Sequence, residues 1–171
     1  MSTKTYLFQP DKKFMKQGFF MTDENENVVY EAKVLKQSLI GAIHFEFTNN
    51  LTKKTEEHKV GHTVTTSTSV FGMDALSSRS RFKFDGKDIW DYLHEIGVRI
   101  DSGFSNGKLG MTYNVSLKGV QIATMKSTTP KGKSILTNPY YYDVTTEEEN
   151  LDLAFLAAFA FARTPEQAFH D

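Results

Sequence analysis

One stretch near the end of the chain, Leu153–Ala162, contains no polar side chain, and it limits what the rest can fold into. Its flanks read as a helix. Thr145 with Glu148, or Thr146 with Glu149, fits the Ser/Thr-x-x-Glu capping box. Glu147, Glu148 and Glu149 stand where the positive end of a helix dipole favours carboxylates, Arg163 sits at the opposite end, and Pro165 is a stop signal. The expected helix covers about 146–163. A surface helix carries one apolar stripe, whereas this one is apolar all round and must be enclosed. A bilayer asks for roughly 20 apolar residues, more than this stretch supplies. The enclosure is therefore the protein itself, folded about its own C-terminal helix.

The remainder supplies strands. Ile43, Phe45 and Phe47 alternate with His44 and Glu46, the pattern of a half-buried antiparallel strand. Phe82 and Phe84 alternate in the same way with Arg79, Arg81 and Lys83. Tyr6–Phe8 reads as a short strand broken by Pro10, Gly18–Met21 as the next, and Val28–Val34 as a third, after the acidic turn 23–27. Lys53–Glu57 reads as a charged turn and His58–Val70 as a long extended run. Val98–Ile100, Met111–Leu117 and Val120–Met125 complete the strands, with Asn106-Gly107 as a hairpin signal. Gly86–Gly97 is the other helix candidate, with Ile89, Trp90, Leu93 and Ile96 on its apolar face. With 171 residues the chain forms one domain, 1–171, mainly β (α+β), an antiparallel sheet closed around the buried C-terminal helix.

Three stretches resemble the tubby-like superfamily, in its LURP-one-related and phospholipid-scramblase branch. Gly18–Lys33 resembles the family's opening hairpin: an aromatic strand, an acidic turn, and a strand ending on a base. Ile43–Asn49 resembles the following strand and turn, and Leu151–Phe161 the buried C-terminal helix. The resemblance implies a closed barrel of about twelve strands around that helix. It also implies a binding module, since tubby proteins bind phosphoinositides through basic residues on the outer barrel surface. Scramblase activity does not carry over, because the Cys-rich segment of that branch has no counterpart in a chain without cysteine.

Composition narrows the classes. The net charge is −1, with residues 140–171 at −6 and the rest at about +5, which is not the strongly basic balance of a nucleic-acid binder. Zero cysteines excludes disulfides and thiolate chemistry, and together with a start lacking an apolar leader gives a cytoplasmic expectation. The best candidates for binding are Arg79, Arg81 and Lys83, which in a strand share one face at about 6–7 Å spacing. Such a row suits phosphates or an anionic membrane surface, and equally a plain solvated barrel face. Lys131 and Lys133, in a Pro/Gly loop, are expected to join it.

Other motifs fail on their own terms. Asp23, Asn25 and Asn27 begin like a calcium loop, but Val28 stands where Gly is required and Val34 where Glu is required. Gly132-Lys133-Ser134 lacks the preceding Gly of a phosphate loop. His58 and His62 in one strand stand about 13 Å apart, too far to share a metal. Asp88, Asp91 and His94 read as a wet helix face, and there is no Gly-x-Ser-x-Gly nucleophile elbow. The expectation is a non-enzymatic binding module for anionic lipid headgroups or a protein partner. It has no cofactor, metal or transmembrane segment, and is cytoplasmic or peripheral to the membrane. The alternative is a structural or protein-interaction domain without a small ligand.

Overall fold

The computed structural model describes residues 3–11, 18–37, 42–67, 77–103, 112–128 and 141–163. In these, the chain forms β1 (Lys4–Asp11), β2 (Gly18–Thr22), β3 (Val28–Gln37), β4 (Ala42–Asn49), β5 (Lys54–Ser67), β6 (Ser77–Phe84) and β7 (Lys87–Asp88). Helix α1 (Ile89–Glu95) follows, then β8 (Val98–Gly103), β9 (Thr112–Leu117), β10 (Val120–Ser127), β11 (Tyr142–Thr146) and helix α2 (Leu151–Arg163). All eleven strands belong to one antiparallel sheet, in the order β7-β6-β5-β4-β3-β2-β1-β11-β10-β9-β8. The chain starts in the middle, meanders to one edge at β7, crosses through α1 to the far edge at β8, and returns to β1.

The closed barrel of about twelve strands is not what the described residues form. Eleven strands are present and no ladder joins β7 to β8. A helix stands between those two edges instead. Helix α1 runs directly from one to the other, packs on β6, β7, β8 and α2, and buries Ile89, Trp90 and Leu93. Asp88 starts it, its carboxylate accepting from the backbone N–H of Trp90 at 2.9 Å and of Asp91 at 3.1 Å.

Helix α2 is the core. From Ala154 to Ala162 only Leu156 has any appreciable exposure. Phe155 stacks on Tyr30 of β3 at 4.3 Å and meets Phe8 of β1 and Phe47 of β4. One turn later Phe159 lies edge-on to Phe19 of β2, Phe45 and Phe47. On the other side Phe161 reaches Tyr113 of β9 and Tyr142 of β11. Rings from six strands thus face one helix, which requires the sheet to curl around it. The intervening buried Ala154, Ala157, Ala158, Ala160 and Ala162 keep the helix narrow enough to fit.

The helix start differs from the capping-box expectation. Thr145 and Thr146 are the last residues of β11, and a 3-10 turn over Glu148–Asn150 precedes α2. The Thr146 hydroxyl donates to the Ile122 carbonyl at 2.8 Å, a tertiary bond that outcompetes the local cap. Glu149 instead hydrogen-bonds with Glu147, and that bond together with the like charge raises the Glu149 carboxyl above its ordinary range.

Two boundaries also moved. Strand β1 continues through Pro10, because its ladder to β11 ends at Phe8 and the proline pairs on one side only, with Phe19. Strand β5 begins at Lys54, so Glu56 and Glu57 are strand residues rather than turn. Gly18 is demanded by close approach: a Cβ there would lie 2.6 Å from the Ala32 carbonyl oxygen.

Candidate anion-binding face

Along β3 to β6 the residues alternate between the α2 side and the outside. Phe45, Phe47, Val60 and Phe84 are buried on the inner face. The outer face is then fixed by register. Lys33 of β3 stands opposite Glu46 of β4, which stands opposite Glu57 of β5. The next outer row is Lys36, His44 and Lys59, each directly opposite the next. A bulge between Val34 and Lys36 inserts Leu35 and brings Lys36 into that row.

The sequence candidates Arg79, Arg81 and Lys83 fall beside it. Lys83 is registered with Gly61, Arg81 with Thr63 and Arg79 with Thr65, so these strand positions continue the face that carries Lys59. Their positions in β6 lie on the face opposite that of Phe84. Lys131 and Lys133 lie outside the described residues.

Ion pairs and opposed acids separate these bases from several others. Lys126 faces Asp143 and Lys33 faces Glu46. Lys4 pairs with Glu148 at 2.8 Å, Lys54 with Glu56 at 2.9 Å, and Lys87 with Glu95. Among the described residues, Lys36, His44 and Lys59 have no carboxylate within ion-pair distance. Like charges directly opposite on a sheet repel, so such a row is stabilised by an external anion.

A brace behind the face holds Lys59 in place. The Asp85 carboxylate accepts from the Lys59 backbone N–H at 2.7 Å with one oxygen and lies 2.7 Å from His58 Nδ1 with the other. His58 Nε2 lies 3.4 Å from Glu56, and its ring packs against Phe84 and Phe47. A hydrogen bond from Lys54, reinforced by its charge and by His58, holds the Glu56 carboxyl below its ordinary range. The two ring nitrogens of His58 address carboxylates on opposite sides, so the three groups do not converge on a point. Among the described residues no group of three or more His, Asp or Glu side chains is placed to hold a metal ion.

A second polar network ties α2 to the sheet. Asn49 donates to Asp152 at 3.1 Å and accepts from the backbone N–H groups of Leu51 and Thr52. The buried Tyr30 hydroxyl is pushed well above its ordinary range by burial first, and then by the charge of Asp152 and a hydrogen bond to it. These groups are structural. Asp88 is spent on capping α1, and Trp90 is buried beside it.

Reading one strand at a time found the β6 row and missed Lys36, His44 and Lys59. Each of the three is an isolated base in sequence; only the ladder, with its bulge, aligns them. Comparison of the chain with protein-family models, curated proteins and solved structures found no match in any of the three.

Proposed function

We propose that this chain is a non-enzymatic binding module of the tubby-like type, a barrel about its C-terminal helix whose outer β3–β6 face meets anionic lipid headgroups. The observation that carries this reading is the row Lys36, His44 and Lys59, none with a carboxylate within ion-pair distance among the described residues, contiguous by register with positions 83, 81 and 79. The space between the walls is occupied by α2, which leaves the outer surface for ligands. The barrel reading draws support from the curl of the sheet around α2 and from α1 lying against both terminal strands. On this reading the protein is cytoplasmic and held peripherally by charge. No helix among the described residues is long and apolar enough to cross a membrane.

Co-sedimentation with phosphatidylglycerol and phosphatidylcholine vesicles, at low and physiological salt, tests it. Binding is expected only to the anionic vesicles and weaker at the higher salt. Each base near such a surface contributes about 1 kcal/mol, so Lys36→Glu with Lys59→Glu should weaken binding by at least about 25-fold. Reversal of Arg79, Arg81 and Lys83 should abolish it. Undiminished binding in both variants would remove the face. No binding by the unaltered chain would favour a protein-interaction domain, to be sought by native pull-down of a stoichiometric partner.

A further inference from the structure

We infer that His44 makes the affinity of this face for an anionic bilayer depend on pH, strengthening attachment as the surroundings acidify. The inference rests on the lipid-binding reading above and adds its regulation. His44 is the middle member of that row, flanked by Lys36 across one ladder and Lys59 across the other. It is half-buried, whereas both lysines are exposed. Histidine is the side chain whose ordinary pKa, about 6.5, lies between acidic and neutral conditions.

Among the described residues, the charged groups on the strands that flank it are identified by register. On its own strand Glu46 lies two residues along; from β3 come Lys36 directly and Lys33 diagonally; from β5 come Lys59 directly and Glu57 diagonally. The acids lie toward one side, in the row where Glu46 stands opposite both Lys33 and Glu57. On the other side the next β5 position is Gly61, whose partner is Lys83. His44 therefore stands between the mixed-charge row and the row of Gly61 and Lys83, and beyond Lys59 its own row ends at Asp85, whose carboxylate is held by His58 and the Lys59 backbone. A proton there places a third positive charge between Lys36 and Lys59, on the strand next but one to that of positions 79–83.

The linkage runs both ways. With phosphodiesters against the row, a charge on His44 is favourable, so binding takes up a proton and protonation strengthens binding. The bases are spread along four strands about 4.8 Å apart rather than gathered in a cleft. That spacing suits many headgroups in a plane better than one small anion.

The test uses phosphatidylglycerol vesicles, whose charge is constant between about pH 7.5 and about pH 5.5, the range a histidine spans. The unaltered chain should bind about fivefold more tightly at the lower pH, the effect of one added surface charge. His44→Gln should bind equally at both values, and His44→Lys should bind tightly at both. The other histidines, including His58, are unchanged in these variants and control for titration elsewhere. A rise on acidification that persists in His44→Gln overturns the inference, as does pH-independent binding by the unaltered chain. Both outcomes leave the lipid-binding face standing. Absence of binding at either pH overturns that reading and the inference with it.

Discussion

Tyr6 and Tyr30 are both buried on the inner face of the sheet, and their hydroxyls meet different surroundings. Tyr30 donates toward Asp152, which joins β3 to the first turn of α2. The Tyr6 hydroxyl has no hydrogen-bond partner among the described residues. Removing a hydroxyl that serves a charged acceptor costs about 1–3 kcal/mol, whereas removing an unsatisfied one costs little or stabilises. Tyr30→Phe should therefore lower the urea midpoint clearly, and Tyr6→Phe should leave it level or raise it. Equal losses in the two variants would mean that neither network is as described. The contrast was not legible beforehand, since both residues are aromatics in short strands. Which hydroxyl finds a carboxylate depends on where Asp152 arrives, and that is set by the chain folding back on itself over a hundred residues later.

At the scale of elements, α2 dominates. Its Phe159 touches rings of β2 and β4, so Phe159→Ala removes contacts between the helix and two separate strands. The cost should be about 3–5 kcal/mol, a large part of the 5–15 kcal/mol that holds an ordinary domain together. Leu156, on the same helix but only partly buried, should cost less on truncation to Ala. Equal thermal shifts would contradict the placement of Phe159 at the centre. The helix was the most legible element, because ten successive residues without a polar atom admit one environment. Its boundary was not legible. Thr146 satisfies both the capping pattern and a strand, and the Ile122 carbonyl decided between them. Strand β4 was equally clear from alternation, yet the start of β5 was misread because Lys54 and Glu56 resemble turn residues until their mutual ion pair is seen. Sequence reading expected the sheet to close on itself; α1 was visible as a helix, but not that it would lie against both edge strands, which no ladder joins.

For the whole molecule, the arrangement of charge determines which side meets a surface. Around the start of α2 stand Glu147, Glu148, Glu149 and Asp152, with Glu24 and Glu26 in the hairpin that leads into β3. The row Lys36, His44 and Lys59, with positions 83, 81 and 79 beside it, is on β3 to β6. A planar anionic surface should attract the second region and repel the first, orienting the molecule before any close contact forms. The chain has no cysteine, so a single introduced thiol reports one position only. Leu35, 45% exposed in the bulge beside Lys36, and Val120, 67% exposed on β10, are both accessible to an environment-sensitive fluorophore. They lie on strands separated in the sheet by β2, β1 and β11. With phosphatidylglycerol vesicles, the label on Leu35→Cys should shift to shorter emission wavelengths and the label on Val120→Cys should not. Neither should respond to phosphatidylcholine, and the shift at position 35 should diminish as salt is raised past physiological strength, where screening shortens to less than about 8 Å. A response at 120 without one at 35 would place the contact on the β10 side and overturn the assignment of the β3–β6 face. A response at both positions would mean that the protein inserts or associates without orientation, so that charge alone does not set how it docks.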